Sequence, residues 1–411
     1  MTEKQVVIVG GGPAGLAAAV ELKKRGVQEL VVLEREAHLG GVLRQCIHDG
    51  FGLTRFGQSL SGPEYAARFL DEAMSLGVEC VTGVTVLDIT PDKAVTAVSP
   101  AGMQTYAAGA VVLAMGCRER TRGALSIPGG RPAGVYTAGV AQAYVNLRNL
   151  MPGKRAVILG SGDIGMIMAR RLTLEGARVL GVYEILPHPS GLPRNIEQCL
   201  NDYDIPLYLS HTVTDIRGNG RLEAITVSAV DEGRRPIPGT ERHIDCDTLI
   251  LSVGLIPENE LSLRAGIVLD PRTNGPVVDA FCQTTVSGVF AAGNVLQVHD
   301  LVDFVSLEAE HLAASVARYL RGGLPAASVE IRAEDPIGYT VPQRVSGGED
   351  VTLSFRVKRP LPAGRVTVRQ GARVLASRDC KRLIPAEMQR IVIPGAALAP
   401  ETELKVVVDH V

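Results

Sequence analysis

Gly10-Gly11-Gly12-Pro13-Ala14-Gly15 and, 150 positions later, Gly160-Ser161-Gly162-Asp163-Ile164-Gly165 share one spacing of glycines. The chemistry such a spacing offers is capture of a phosphate by backbone. The first glycine permits a tight strand-to-helix turn, the second lets main chain approach a pyrophosphate, and the third packs helix on strand. The helix start then supplies N–H groups and a partial positive charge. Each set also has an acid 24 residues after its first glycine, Glu34 or Glu184, able to accept hydrogen bonds from ribose hydroxyls and to repel a 2′-phosphate. One such pattern could be an ordinary glycine-rich turn. Two, each with its own acid, describe a chain that holds two dinucleotides.

These residues need a strand before and a helix after them. Apolar runs at Val6–Val9 and Ala156–Leu159 supply the strands. Pro13 suits a first helical turn, where its missing N–H costs nothing, and Gly26 and Gly176 suit the helix ends. Further apolar strands ending in glycine are expected at Gly109–Met115, Thr248–Gly254 and Gly288–Gly293, with an amphipathic helix over about Asp303 to Leu320. Strands alternating with helices imply parallel sheets covered on both faces. A chain of 411 residues exceeds one core and is expected to divide into two or three domains.

From Val329 onward the period changes to two, as in Val351–Val357, Arg365–Val368 and Leu404–Val408, with turn signals at Gly347-Gly348 and Pro362-Ala363-Gly364. This region, 329–411, reads as a small all-β sandwich. It has no cluster of His, Asp and Cys, so it is expected to be a structural or docking module, separable near Ala327 without loss of the nucleotide sites.

Net charge of −2 argues against a nucleic-acid partner, and no apolar run reaches the length of a membrane span. Met1-Thr2-Glu3-Lys4 leads directly into a strand, so no signal peptide is expected. Seven scattered cysteines with no C-x-x-C suit a reducing cytoplasm and make a zinc site unexpected.

With both nucleotide patterns and Ala291-Ala292-Gly293-Asn294 in place, the chain resembles the two-dinucleotide-domain flavoprotein reductases of the pyridine nucleotide-disulfide oxidoreductase superfamily. Within it the resemblance is to the thioredoxin-reductase-like branch, over about residues 5–322. It implies an α/β fold of two Rossmann-like domains plus the C-terminal β-sandwich. The first part of an FAD-binding domain would occupy 1–120, an inserted NAD-binding domain 121–254, and the second part of the FAD domain 255–325. Carried over residue by residue, Gly10, Gly12, Pro13, Ala14 and Gly15 would face the FAD pyrophosphate, and Glu34 would hold the adenosine ribose. Gly40 and Gly41 would turn along the flavin, and Val86 would meet the adenine. Gly293 and Asn294 would contact the ribityl chain, with Val302 and Asp303 near the flavin. Gly160, Gly162, Asp163, Ile164, Gly165, Glu184 and Gly254 would hold NAD. Glu184 with no following arginine favours NADH over NADPH. Asn294 and Ile167 stand where relatives carry acids.

The redox cysteines of this superfamily are missing. Where glutathione-reductase-like members place them, this chain has Leu43 and His48, and no cysteine lies between Cys117 and Cys199. A disulfide mechanism needs two thiols in reach of each other. Cys46 and His48 remain as catalytic candidates close to where the flavin of the family sits. Cys46 could cycle through sulfenic acid or be a small buried hydrophobe. His48 could protonate an acceptor or make a structural hydrogen bond.

Leu113–Arg122, Ile158–Leu174, Gly191–Leu200 and Val298–Phe304 resemble the FAD/NAD subunits that accompany anaerobic glycerol-3-phosphate dehydrogenase and dye-linked opine, amino-acid and cyanide-forming dehydrogenases. The resemblance implies an FAD-dependent oxidoreductase that exchanges hydride with NAD(H) and passes electrons to or from a partner dehydrogenase subunit, with homo-oligomerisation also open. A free-standing NADH oxidase or peroxidase using Cys46, and a flavin-bound scaffold or redox sensor, are the alternatives.

Overall fold

A computed structural model describes residues 1–399 and 402–410 and divides the chain into two compact units, Met1–Cys117 with Pro257–Val411, and Arg118–Ile256. The fold class is the expected one, with a sheet built on parallel strands in each unit.

In the first unit the central strand Thr2–Val9 runs parallel to Leu30–Glu34 on one side and Gly102–Leu113 on the other, in register Val6 with Leu30 and with Ala110. Val289–Ala291 pairs parallel with Gly102–Leu113 and so carries Gly293 to the sheet's carboxyl edge. The carboxyl-terminal parts of these strands, residues 6–9, 30–33 and 110–113, are apolar and buried because helices cover one face and a second core the other. The helix Pro13–Lys24 ends before Gly26, whose φ of +89° closes it. Its Leu16 and Val20 share a core with Leu312 and Val316 of the helix Val302–Gly322. Antiparallel strands Thr85–Ile89 and Ala94–Ser99 extend the sheet. Burial alternates along them, but Leu87 is exposed and Asp88 half-buried, so the sequence pattern alone does not show them.

The second unit repeats the plan. Its parallel sheet runs in the order Leu207–Leu209, Arg178–Glu184, Arg155–Leu159, Thr248–Leu251 and Val135–Thr137, with the helix Asp163–Leu174 following Gly162. A separate antiparallel sheet is built from His211–Arg217, Ala224–Ala229 and Arg242–Asp245.

The C-terminal strands form two sheets, one with Val329–Ala333, Gly364–Gln370, Arg373–Cys380 and Leu404–His410, the other with Ile337–Val341, Val351–Val357 and Gln389–Ile393. Leu353, Phe355, Val366, Val368, Ile393 and Val406 fill the space between them. The sequence suggests a module set apart from the nucleotide sites, but the structure packs it into the first unit. Gln343 and Val278 exchange two hydrogen bonds, Gln343 Oε1 accepting from Val278 N at 2.9 Å and Gln343 N donating to Val278 O at 3.1 Å. Ala280 packs against the sandwich core. Among the described residues no helix is long and apolar enough to cross a membrane.

Candidate functional site

The first nucleotide unit brings five separated segments together. A Cβ at Gly10, which has φ +107°, would collide with the carbonyl oxygen of Ala114, and one at Gly15 with that of Gly10. These two glycines are demanded by the turn itself. Gly12 differs: a Cβ there would meet only Gly41 Cα, at 3.9 Å. Its open side faces the start of the helix Pro13–Lys24, whose first N–H groups have no intrahelical acceptor. Gly40 N donates to Gly11 O at 2.8 Å, which brings Gly40 and Gly41 to the loop. Gly293 abuts Ala14, since a Cβ on it would lie 2.9 Å from Ala14 Cβ.

Glu34 is buried at the strand end. Its Oε2 accepts from Gly11 N at 2.7 Å and its Oε1 from Glu36 N at 2.8 Å. The two donors fix the plane of the carboxyl group, while each oxygen keeps a lone pair. Val84 N donates to Glu34 O at 2.9 Å, placing the strand of half-buried Val86 beside it. A loop with two phosphate-facing glycines, an oriented carboxylate and a helix N-terminus fits a dinucleotide such as FAD.

Asn294 and Asp303 are engaged with the chain itself. Asn294 Oδ1 accepts from His299 N at 3.0 Å, and its Nδ2 lies 3.5 Å from Cys117 Sγ as donor. Asp303, 2% exposed, accepts from Gly52 N, Thr54 N and Arg55 N at 3.0, 3.0 and 2.7 Å. Its carboxylate orders the loop after Cys46, while half-buried Val302 opens the helix. Glu308 was not singled out by the sequence, yet it holds Gly293 N at 2.7 Å and Gln297 Nε2 at 2.8 Å, with His299 Nε2 at 3.3 Å. Burial raises its pKa, but His299 and these donors outweigh that and hold the carboxyl below its ordinary value.

Cys46 is half-buried, its thiol donating to Val42 O at 3.3 Å. Desolvation pushes the thiol up to about 12, far from the thiolate a redox cysteine needs. His48 is half-buried against Phe51, ring centroids 4.9 Å apart, with Nδ1 3.2 Å from Asp49 O. No disulfide joins any two of the seven cysteines.

In the second unit Glu184 Oε2 accepts from Ser161 N at 2.9 Å, Ser161 Oγ at 2.7 Å and Ser190 Oγ at 2.9 Å, and Oε1 from Leu186 N at 3.0 Å. The arrangement matches that of Glu34, with two serine hydroxyls added. Asp163 Oδ1 accepts from Leu192 N at 2.8 Å and Asn195 Nδ2 at 2.6 Å, tying the segment after Glu184 to the helix start. Ser252 Oγ accepts from Gly165 N at 3.1 Å, and two residues on Gly254 turns with φ +103°. Gly160, Gly162 and Ile164 complete this loop. Ser161 stands where the first repeat has Gly11; that difference was the one signal for the serine pair.

A family profile described as pyridine nucleotide-disulphide oxidoreductase matches residues 4–315. The chain is 28% identical over 360 residues to the glutamate synthase [NADPH] small chain of Mycobacterium tuberculosis, spanning 79% of this chain and 69% of that one. It is 29% identical over 315 residues to hydrogen cyanide synthase subunit HcnB of Pseudomonas protegens, covering 70% of this chain and 65% of the relative. The crystal structure of T. acidophilum thioredoxin reductase superposes with a TM-score of 0.65 at 25% identity, over 77% of this chain and 99% of that one.

Proposed function

The chain belongs to the pyridine nucleotide-disulphide oxidoreductase family of FAD-dependent NAD(P)H oxidoreductases, and from that premise we propose that it exchanges hydride between NADH and FAD and passes electrons to or from a partner dehydrogenase subunit. FAD supplies the hydride and electron chemistry when bound. Gly12, Gly41 and the first turn of the helix Pro13–Lys24 would receive its pyrophosphate, Glu34 its adenosine ribose, and the Gly293 segment its ribityl chain. In the second unit the loop Gly160–Gly165 would receive the NAD pyrophosphate and Glu184 the adenosine ribose. The observation that carries the reading is the close approach of Gly41 to Gly12 at the helix start, where a Cβ on Gly41 would lie 3.0 Å from Gly12 Cα, beside the oriented Glu34 carboxylate.

NADH is the proposed partner of Glu184. Its carboxylate is buried and held by four donors, so a 2′-phosphate would have to shed water beside a fixed negative charge. A partner subunit is supported by the relatives' own names, which include a small chain, an oxidase subunit and a ferredoxin reductase component. The sequence resemblance points to glycerol-3-phosphate dehydrogenase as the partner's class. The raised Cys46 thiol weighs against an oxidase cycle through sulfenic acid.

The test is reduction of the purified full-length protein. It should carry FAD released on denaturation, its flavin should bleach with NADH, and dye should accept the electrons faster than oxygen or peroxide. A protein that takes up no FAD on reconstitution overturns the reading, and peroxide as the preferred acceptor would replace it with the oxidase alternative.

A further inference from the structure

The C-terminal sandwich meets the first unit through charge as well as apolar packing. Arg356, on the strand Val351–Val357, donates Nη2 to Val298 O at 3.2 Å and Nη1 to Pro385 O at 2.8 Å, and also to Ala386 O. The same guanidinium stands 3.8 Å from Asp300 Oδ1, both side chains being largely buried at 16% and 8% exposure. Asp300 Oδ2 accepts from Met388 N at 3.1 Å, while Oδ1 has no hydrogen-bond partner. Arg390 lies 3.6 Å over the ring of Phe304. Val298, Asp300 and Phe304 therefore all rest on the sandwich. Val298 and Asp300 belong to the connection from Gly293-Asn294 to Val302-Asp303, held on its other side by Glu308, and Phe304 follows it in the helix.

We infer that the C-terminal sandwich is part of the flavin site, with Arg356 as a positioning residue that sets the Val298–Asp300 connection and through it Gly293 and Asp303. This rests on the flavin reading proposed above. The physical reason is the buried Asp300 charge. One main-chain N–H, the Arg356 guanidinium at 3.8 Å and the more distant charge of Arg390 offset its desolvation, so losing Arg356 removes the nearest cation and favours movement of the carboxylate toward water. The connection moves with it. Arg356 touches no reacting group; its effect passes through Val298 O and Asp300.

The full-length protein stripped of FAD and titrated with FAD tests this, with thermal unfolding of the apo forms alongside. R356M should weaken FAD binding by about tenfold or more, as loss of a supporting shell does. The double variant R356M/D300N should recover most of that loss, because no charge is left buried without a counter-ion. Wild-type affinity in R356M, or a loss that D300N does not relieve, overturns the inference. If R356M does not fold, R356Q decides: weakened FAD binding at unchanged unfolding temperature supports it, and wild-type affinity overturns it. Failure of wild-type protein to bind FAD would strike the parent reading instead.

Discussion

Asp303, at the first turn of the helix Val302–Gly322, accepts the backbone N–H of Gly52 at 3.0 Å across 251 residues of sequence. With Thr54 N and Arg55 N it gives that loop three charge-assisted anchors on one buried carboxylate. Replacing Asp303 with Ala should therefore cost about 3 kcal/mol in urea unfolding of the full chain, from three orphaned donors. A loss below about 1 kcal/mol would show that water replaces the carboxylate freely.

Gly12→Ala separates binding from folding. Gly12 has φ −79° and ψ −170°, open to any residue, and its Cβ would point into the space facing Gly41. Stability should stay within about 0.5 kcal/mol, as for substitutions that touch no packed group, while FAD affinity drops. Unchanged affinity would move the pyrophosphate elsewhere.

Glu184→Ala should narrow the preference for NADH by about tenfold, a change of 1.4 kcal/mol, in flavin reduction followed by stopped flow. Ser190→Ala removes one donor to the carboxylate and should narrow it less. Equal rates with NADH and NADPH in the unaltered protein would refute the role of Glu184.

Cys46→Ser should keep flavin content and most NADH-driven dye reduction, because a thiol raised to about 12 is protonated at neutral pH. Loss of turnover with flavin still bound and still reduced by NADH would restore Cys46 to the reaction.

Acid stability should depend on Glu308. Its folded pKa lies below the ordinary carboxyl value, so the native state binds fewer protons there than the unfolded chain. The resulting stabilisation is complete above the unfolded Glu pKa of about 4.3 and is lost as pH falls through the depressed native value. Glu308→Gln should be less stable at neutral pH and lose less on acidification, measured by denaturant unfolding against pH. Parallel pH profiles for the two proteins would contradict this.

What the sequence by itself determined is local. Each nucleotide loop is a strand, a turn and a helix within some 30 contiguous residues, and the positive φ of Gly10 and the clash of Gly15 with Gly10 O act within that span, whereas the clash of Gly10 with Ala114 does not. Glu34 and Glu184 were legible for the same reason, as was the sandwich, whose strands alternate at period two. Only tertiary structure decided how Gly293 is held, what Asp303 binds, and that Arg356 reaches Val298. Those partners come from different elements and meet as single polar contacts that leave no period in the chain. A hydrophobic face repeats and can be read along the sequence; one buried carboxylate finds its donors only when the chain has closed around it.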